Sequence, residues 1–215
     1  MRRFTSVLAI ALIHAFATMS FADLIVENSP ATSSSFRIGG PNSQVEAVYW
    51  AQNEASINTS MSALIGSIDG NSETVDAYLA EDSITNVIAT HSGVTVGNFS
   101  DPANFTPVTL FSGLSLDAGH EYGILLFNTD TTGNVNIRWS VGGGTTNGAG
   151  TFGGGGYSDS PDSNVTDPYL SKFTLSVSPL GFSVNGTVVP EPSTLALSLC
   201  SLVLLGVGRR FRRKA

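Results

Sequence analysis

The sequence predicts an all-β domain: an antiparallel two-sheet β-sandwich, jelly-roll-like, held between two apolar ends. Two observations predict it. Between residues 23 and 180, apolar and polar residues alternate at period two in strand-sized segments, and helical periodicity is scarce. Gly, Asn, Asp and Pro recur between those segments, as the turns of a sandwich require. About 160 residues is enough for one core, burying roughly 70% of the surface of the unfolded chain.

The elements follow in order. Residues 45–50 form the first candidate strand. Residues 61–68 are apolar and fit a strand better than a short helix. In 74–79, Val75, Ala77 and Leu79 share one face. Residues 86–90 and 108–111 are further candidates. Residues 121–127 are more continuously apolar, which suits a central strand. In 135–141, Val135, Ile137, Trp139 and Val141 face one way, so Trp139 is expected in the core. In 172–177, Phe173, Leu175 and Val177 alternate inward. Residues 142–156 hold nine glycines in fifteen positions. Glycine loses the most backbone entropy on ordering, so this stretch is expected to be a long mobile loop. Residues 181–189 are expected to be a flexible tether that ends a domain spanning 23–180.

The two ends carry most of the positive charge. Seven of the ten Lys and Arg residues are Arg2, Arg3 and the cluster 209–214. Between Asp23 and Gly186 only Arg37, Arg138 and Lys172 remain, against sixteen acidic residues, a net charge of −13. That balance argues against a nucleic-acid partner. Residues 1–22 fit a secretory signal peptide. Arg2 and Arg3 precede an apolar run, and Ser20 and Ala22 are the small residues a signal peptidase accepts, with cleavage after Ala22. At the other end, Pro190-Glu191-Pro192 precedes an apolar run over 195–208 and a basic tail. The prolines forbid helix through the motif, and Ser193 can cap a helix that starts directly after it. A helix over 195–208 spans roughly 21 Å against a hydrocarbon core of about 30 Å, a gap that snorkelling arginines or local thinning can cover. The basic tail should hold the C-terminus in the cytoplasm.

The arrangement of Pro190, Glu191 and Pro192, the apolar span and the arginine-rich tail over 189–215 resembles the PEP-CTERM sorting signal of Gram-negative bacteria. The resemblance implies signal peptidase and an exosortase as processing enzymes, the inner membrane as a transient anchor, and a destination at the cell surface or outside the cell. It also implies association with exopolysaccharide or biofilm. The apolar segment at Val45, the segment 74–79 and the run from Leu114 to Tyr122, with its Leu-x-Ala-Gly-x-x-Tyr pattern, are similar to the choice-of-anchor group of envelope domains. That similarity implies a fold more than a function.

Few residues point to chemistry. The single cysteine, Cys200, lies in the sorting segment, so the body has neither a disulfide nor a thiol nucleophile. Residues 148–153 match G-x-G-x-x-G, but they lie inside a glycine tract with no helix after them, so dinucleotide binding is rejected. No Gly-x-Ser-x-Gly elbow occurs. His120-Glu121 is a fragment of a metal site at most, and His91 sits beside a turn. Glu46, Glu54, Glu73 and Glu121 are the carboxylates from which a glycoside-hydrolase pair would have to come. Asp159, Asp162, Asn164 and Asp167 offer hard oxygen donors of the kind calcium takes, without EF-hand spacing. Tyr49 and Tyr157 are the aromatic residues best placed to stack on a sugar. The sequence therefore points to an exported, non-enzymatic surface or matrix protein. The alternative is a carbohydrate-binding module, calcium-dependent in one version, and a third reading is an envelope hydrolase.

Overall fold

The computed structural model describes residues 23–39, 45–69, 73–128, 136–158, 174–176 and 179–189. Among them the chain forms β1 (Asp23–Asn28), β2 (Ala31–Ile38), β3 (Val45–Gln52), β4 (Ser56–Ser67), β5 (Glu73–Glu81), β6 (Ser83–Val96), β7 (Pro107–Leu116), β8 (Glu121–Phe127), β9 (Ile137–Gly142), β10 (Thr145–Asn147), β11 (Gly150–Ser158), β12 (Thr174–Ser176) and β13 (Phe182–Val188). The described helical structure is one 3₁₀ turn, Pro102–Asn104. One sheet has the order β10-β1-β13-β4-β9-β2, with β7 on the other side of β4; the second has the order β12-β11-β3-β8-β5-β6. Neighbouring strands are antiparallel throughout, as in β3–β8 and β5–β8. The protein is a two-sheet antiparallel sandwich.

The core follows from the alternation. In β5, Val75, Ala77 and Leu79 point inward; in β8, Tyr122, Ile124 and Leu126 do so. They meet Ile25, Met61, Ile65, Trp139, Phe182 and Val184 from the facing sheet. Each such side chain contributes about 1.5–3 kcal/mol by leaving water. Trp50 centres the cluster, stacked on Tyr122 at 6.0 Å and tilted on Phe182 at 6.1 Å. Its indole N–H donates to Gln52 Oε1 at 3.1 Å, so the polar edge is satisfied inside the core. Trp139 is fully buried, as its face predicts, and donates to the Gly181 carbonyl at 2.7 Å. β8 lies between β3 and β5. Its other face sends Leu125 and Phe127 to a second buried cluster with Val45, Ala47 and Ala80. Burial on both faces is why its sequence is continuously apolar.

Two expectations fail. The glycine stretch 142–156 is not a loop: most of it is β10 and β11, and β11 pairs with β3 along its whole length. The entropy cost of glycine is offset because a side chain would not fit there. A Cβ on Gly150 would sit 2.9 Å from Ile25 Cγ2 and 3.1 Å from Trp50 Cδ1. Residues 181–189 are not a tether either. β13 is an interior strand between β1 and β4, and it carries Phe182 and Val184 into the core. The period-two pattern Phe182, Val184, Gly186 overrides the loop-like composition, and Gly186 leaves room for Thr59 Oγ1, which a Cβ would approach to 2.7 Å. The strands β1 and β2, not expected from the sequence, continue the same sheet.

Both ends of the body lie at one end of the sandwich. Asp23 pairs with Gly186, and the Val189 N–H donates to the Ala55 carbonyl at 2.8 Å. The expected signal helix and the apolar helix 195–208 fall outside the described residues. Among the described residues no helix is long and apolar enough to cross a membrane.

Candidate functional site

Tyr49 projects from β3 on the face away from the main core, because its neighbours Val48 and Trp50 point inward. Its ring lies across Gly153 and Gly154 of β11. A Cβ on Gly153 would come within 2.6 Å of Cδ2, and one on Gly154 within 2.8 Å of Cζ. The ladder slips between Phe152 and Gly154, and Gly154 has φ +150, which glycine tolerates best. The two glycines thus form a bare backbone bed for an aromatic ring. On its other side Tyr49 faces Gly123 of β8, its partner in register. A shallow depression opens there, lined by Tyr49, Ala80, Asp82, Ser83, Glu121 and Gly123.

The polar rim comes from two turns. Asp82 joins β5 to β6 at φ +56, a conformation that Asp tolerates better than most residues. Its Oδ1 accepts the Glu121 N–H at 3.0 Å, and its Oδ2 accepts from His120 Nδ1 at 2.7 Å. A carboxylate only accepts, so His120 carries its proton on Nδ1. The Glu121 amide first and His120 second hold the Asp82 carboxyl below the usual carboxylate range. The hydrogen bond to Asp82, aided by the charges of Glu81 and Asp117, raises His120 above the ordinary histidine value. Beneath them the Tyr122 hydroxyl donates to Glu81 Oε1 and accepts the Asp117 N–H, both at 2.9 Å. Burial, with the Glu81 carboxylate, pushes this phenol up to about 12.

The arrangement sets an aromatic ring beside carboxylate acceptors held by hydrogen bonds. The His120–Asp82 pair looks like two members of an acyl-transfer triad. In it, the His120 Nδ1 is taken up by Asp82. Two of the carboxylates considered for hydrolysis stand at opposite ends of the β3–β8 ladder. Glu46 is buried on the core face opposite Leu126, whereas Glu121 is exposed at the other end of that ladder. Glu54 lies just beyond β3, and Glu73 opens β5 at the far end. Among the described residues no group of three or more His, Cys, Asp or Glu side chains is arranged to hold a metal ion.

Of the residues singled out from sequence, Tyr49 is in this site. His120 and Glu121 are there too, both hydrogen-bonded to Asp82. Tyr157 lies on β11 opposite Glu46, and its side chain is outside the described set. Asp159, Asp162, Asn164, Asp167, Ala22, Pro190, Glu191 and Pro192 also fall outside the described residues. The role of Asp82 had no signal in the sequence. It depends on a 38-residue reach to His120 across the β5–β8 pairing.

The family model for the PEP-CTERM protein-sorting motif matches residues 188–214. The motif therefore begins at the last residue of β13. No curated protein matches the chain by sequence. Among solved structures the chain is similar to a family 35 carbohydrate binding module from an environmental isolate, at 16% identity and a TM-score of 0.33, covering 60% of this chain and 89% of that one.

Proposed function

We propose that the chain is the precursor of an exported, non-enzymatic surface or matrix protein of a Gram-negative envelope. Signal peptidase cuts after Ala22. The apolar segment 195–208 then holds the body at the inner membrane until an exosortase-type enzyme processes it at Pro190-Glu191-Pro192. The body is released into, or displayed on, the exopolysaccharide layer. The observation that carries this reading is the sorting motif over 188–214. Its position at the membrane-side end of an acidic sandwich, beside the exported N-terminus, supports the same route. Replacing Pro190, Glu191 and Pro192 together by alanine should leave a heavier, membrane-held species, seen by intact mass. Identical mature masses in the two strains would refute exosortase processing.

A second reading, a carbohydrate-binding module, is favoured by the Tyr49 ring laid on Gly153 and Gly154 beside Asp82 and Glu121. The ring offers an apolar face to a pyranose, and the carboxylates accept from its hydroxyls. Tyr49→Ala should then abolish retention on the cell's own exopolysaccharide, and equal retention of the variant would remove the reading.

A further inference from the structure

The outer face of the six-stranded sheet has a gap at Gly123. Tyr122, Ile124 and Leu126 point into the core, so Glu121 and Gly123 point away from it. β8 lies between β3 and β5, and the register partners of Gly123 are Tyr49 and Ala80. Packing does not require this glycine. A Cβ would meet the Val48 carbonyl oxygen at 3.5 Å and Tyr49 Cβ at 3.8 Å, both ordinary contacts. Its backbone does not lie in the left-handed region either. Gly150 and Gly153, by contrast, would each clash with an aromatic side chain within about 3 Å. A glycine in the interior of a strand weakens it, and it often marks a place where a ligand or another backbone approaches closely. Here that place is the depression walled by the Tyr49 ring, Asp82 and Glu121.

The groups around the gap are of one charge sign. Tyr49 and Glu121 are diagonal neighbours on the same face, one strand apart. The Glu121 side chain is exposed and makes no hydrogen bond or ion pair among the described residues. The Tyr49 hydroxyl has no partner among them either. Asp82, Glu81 and Asp117 add three more carboxylates, the last two close enough to act on His120. His120 is the cation of this cluster, so even when protonated it stands against four carboxylates. The two arginines among the described residues, Arg37 and Arg138, lie on β2 and β9 of the other sheet. A carboxylated or sulfated ligand is therefore repelled here. An ammonium group is attracted twice, by the Glu121 carboxylate and by the negative face of the Tyr49 ring.

We infer that the depression over Gly123 binds a polysaccharide bearing free amino groups, with Tyr49 against the sugar ring and Glu121 holding its ammonium. This rests on the carbohydrate-binding reading above and names its ligand class. The unfilled gap and its aromatic wall make the site; the carboxylates choose the amine. The net charge of −13 on the body attracts any cation diffusely, so the test must separate a sugar amine from cationic charge alone.

The test is calorimetric titration of the full chain in neutral detergent at about pH 6, where amines are protonated and carboxylates ionised. Three β-1,4-linked sugar hexamers differing at C2 alone are compared: glucosamine, N-acetylglucosamine and glucose. Hexalysine is the fourth probe. The glucosamine hexamer should bind at least about tenfold tighter than the other three probes, a difference of roughly 1.4 kcal/mol or more. Glu121→Gln should bring it down to the level of the glucose hexamer. Asp23→Asn removes the same charge from an exposed position on the other sheet, and should change the affinity less than about twofold. Gly123→Ala should weaken binding at least about threefold while raising the melting temperature, because its Cβ meets only ordinary contacts. A glycine kept for packing would give a lower melting temperature. Equal binding of hexalysine, or unchanged affinity in Glu121→Gln or Gly123→Ala, overturns the inference. Equal binding of the three sugar hexamers overturns the amine and leaves the carbohydrate reading standing. Binding of none of them overturns the inference, while retention of Tyr49→Ala on the cell's own exopolysaccharide decides the carbohydrate reading separately.

Discussion

At the scale of the residue, the most exposed part of the candidate site is also its most clearly titrating one. His120 and Asp82 shift in opposite directions because each stabilises the charged form of the other. The signs set a window. A raised histidine contributes stability below its unfolded value of about 6.5, and that contribution is lost as pH rises through the folded value. A depressed aspartate contributes above its unfolded value of about 3.9, and that contribution is lost as pH falls through the folded value. The pair therefore favours the folded state most between about pH 4 and 6.5, and solvent screening keeps the effect small. Proton NMR titration of the imidazole should give His120 a pKa above 6.5, and Asp82→Asn should bring it down toward that value. An unchanged midpoint in the variant would mean that the 2.7 Å contact does not persist in solution. None of this was legible in the sequence. From sequence His120 reads at most as a fragment of a metal site, because its partner lies 38 positions away.

At the scale of the element, legibility tracked side-chain pattern. β5 and β9 are legible because apolar residues mark alternate positions, and β8 because it is a continuous apolar run. β11 and β13 were missed for the opposite reason. Both carry glycines at positions chosen by what lies across from them. Gly150 must clear Trp50, Gly153 and Gly154 must clear Tyr49, and Gly186 must clear Thr59. Propensity describes an isolated segment, and pairing with β3 or β4 supplies backbone hydrogen bonds that such a segment lacks. Phe182 tests the reassignment. It packs against both Trp50 and Phe152, at 6.1 and 5.8 Å, and is almost fully buried. Phe182→Ala should destabilise the protein by about 3–5 kcal/mol, as for other large core deletions. Urea denaturation followed by tryptophan fluorescence would report it. A change under about 0.5 kcal/mol would return 181–189 to the status of a tether.

At the scale of the whole molecule, the sorting motif follows directly on the last strand of a sandwich with two outer faces. The six-stranded sheet presents Tyr49 among carboxylates; the seven-stranded sheet carries Arg37 opposite Arg138. The sorting motif over 188–214 is legible in the sequence because it is a contiguous string. The faces are not, because each is assembled from strands distant in the chain. The junction between body and signal carries a consequence for processing. Val188 pairs with Ser56, and the Val189 N–H reaches Ala55, so the last described strand is fully paired before Pro190. A cut at or beyond the Pro-Glu-Pro leaves every strand intact, whereas a cut nine residues earlier would remove β13 from between β1 and β4. A chain ending at Val189 should therefore melt within about 2 °C of the full chain, a difference of roughly 0.5–1 kcal/mol at this size. A chain ending at Leu180 should show no cooperative transition and should bind a hydrophobic dye, since Ile25, Met61 and Trp50 lose their cover. If the chain ending at Leu180 melts like the full chain, the last strand contributes nothing to the fold, and the sorting motif hangs from a linker rather than from the sheet.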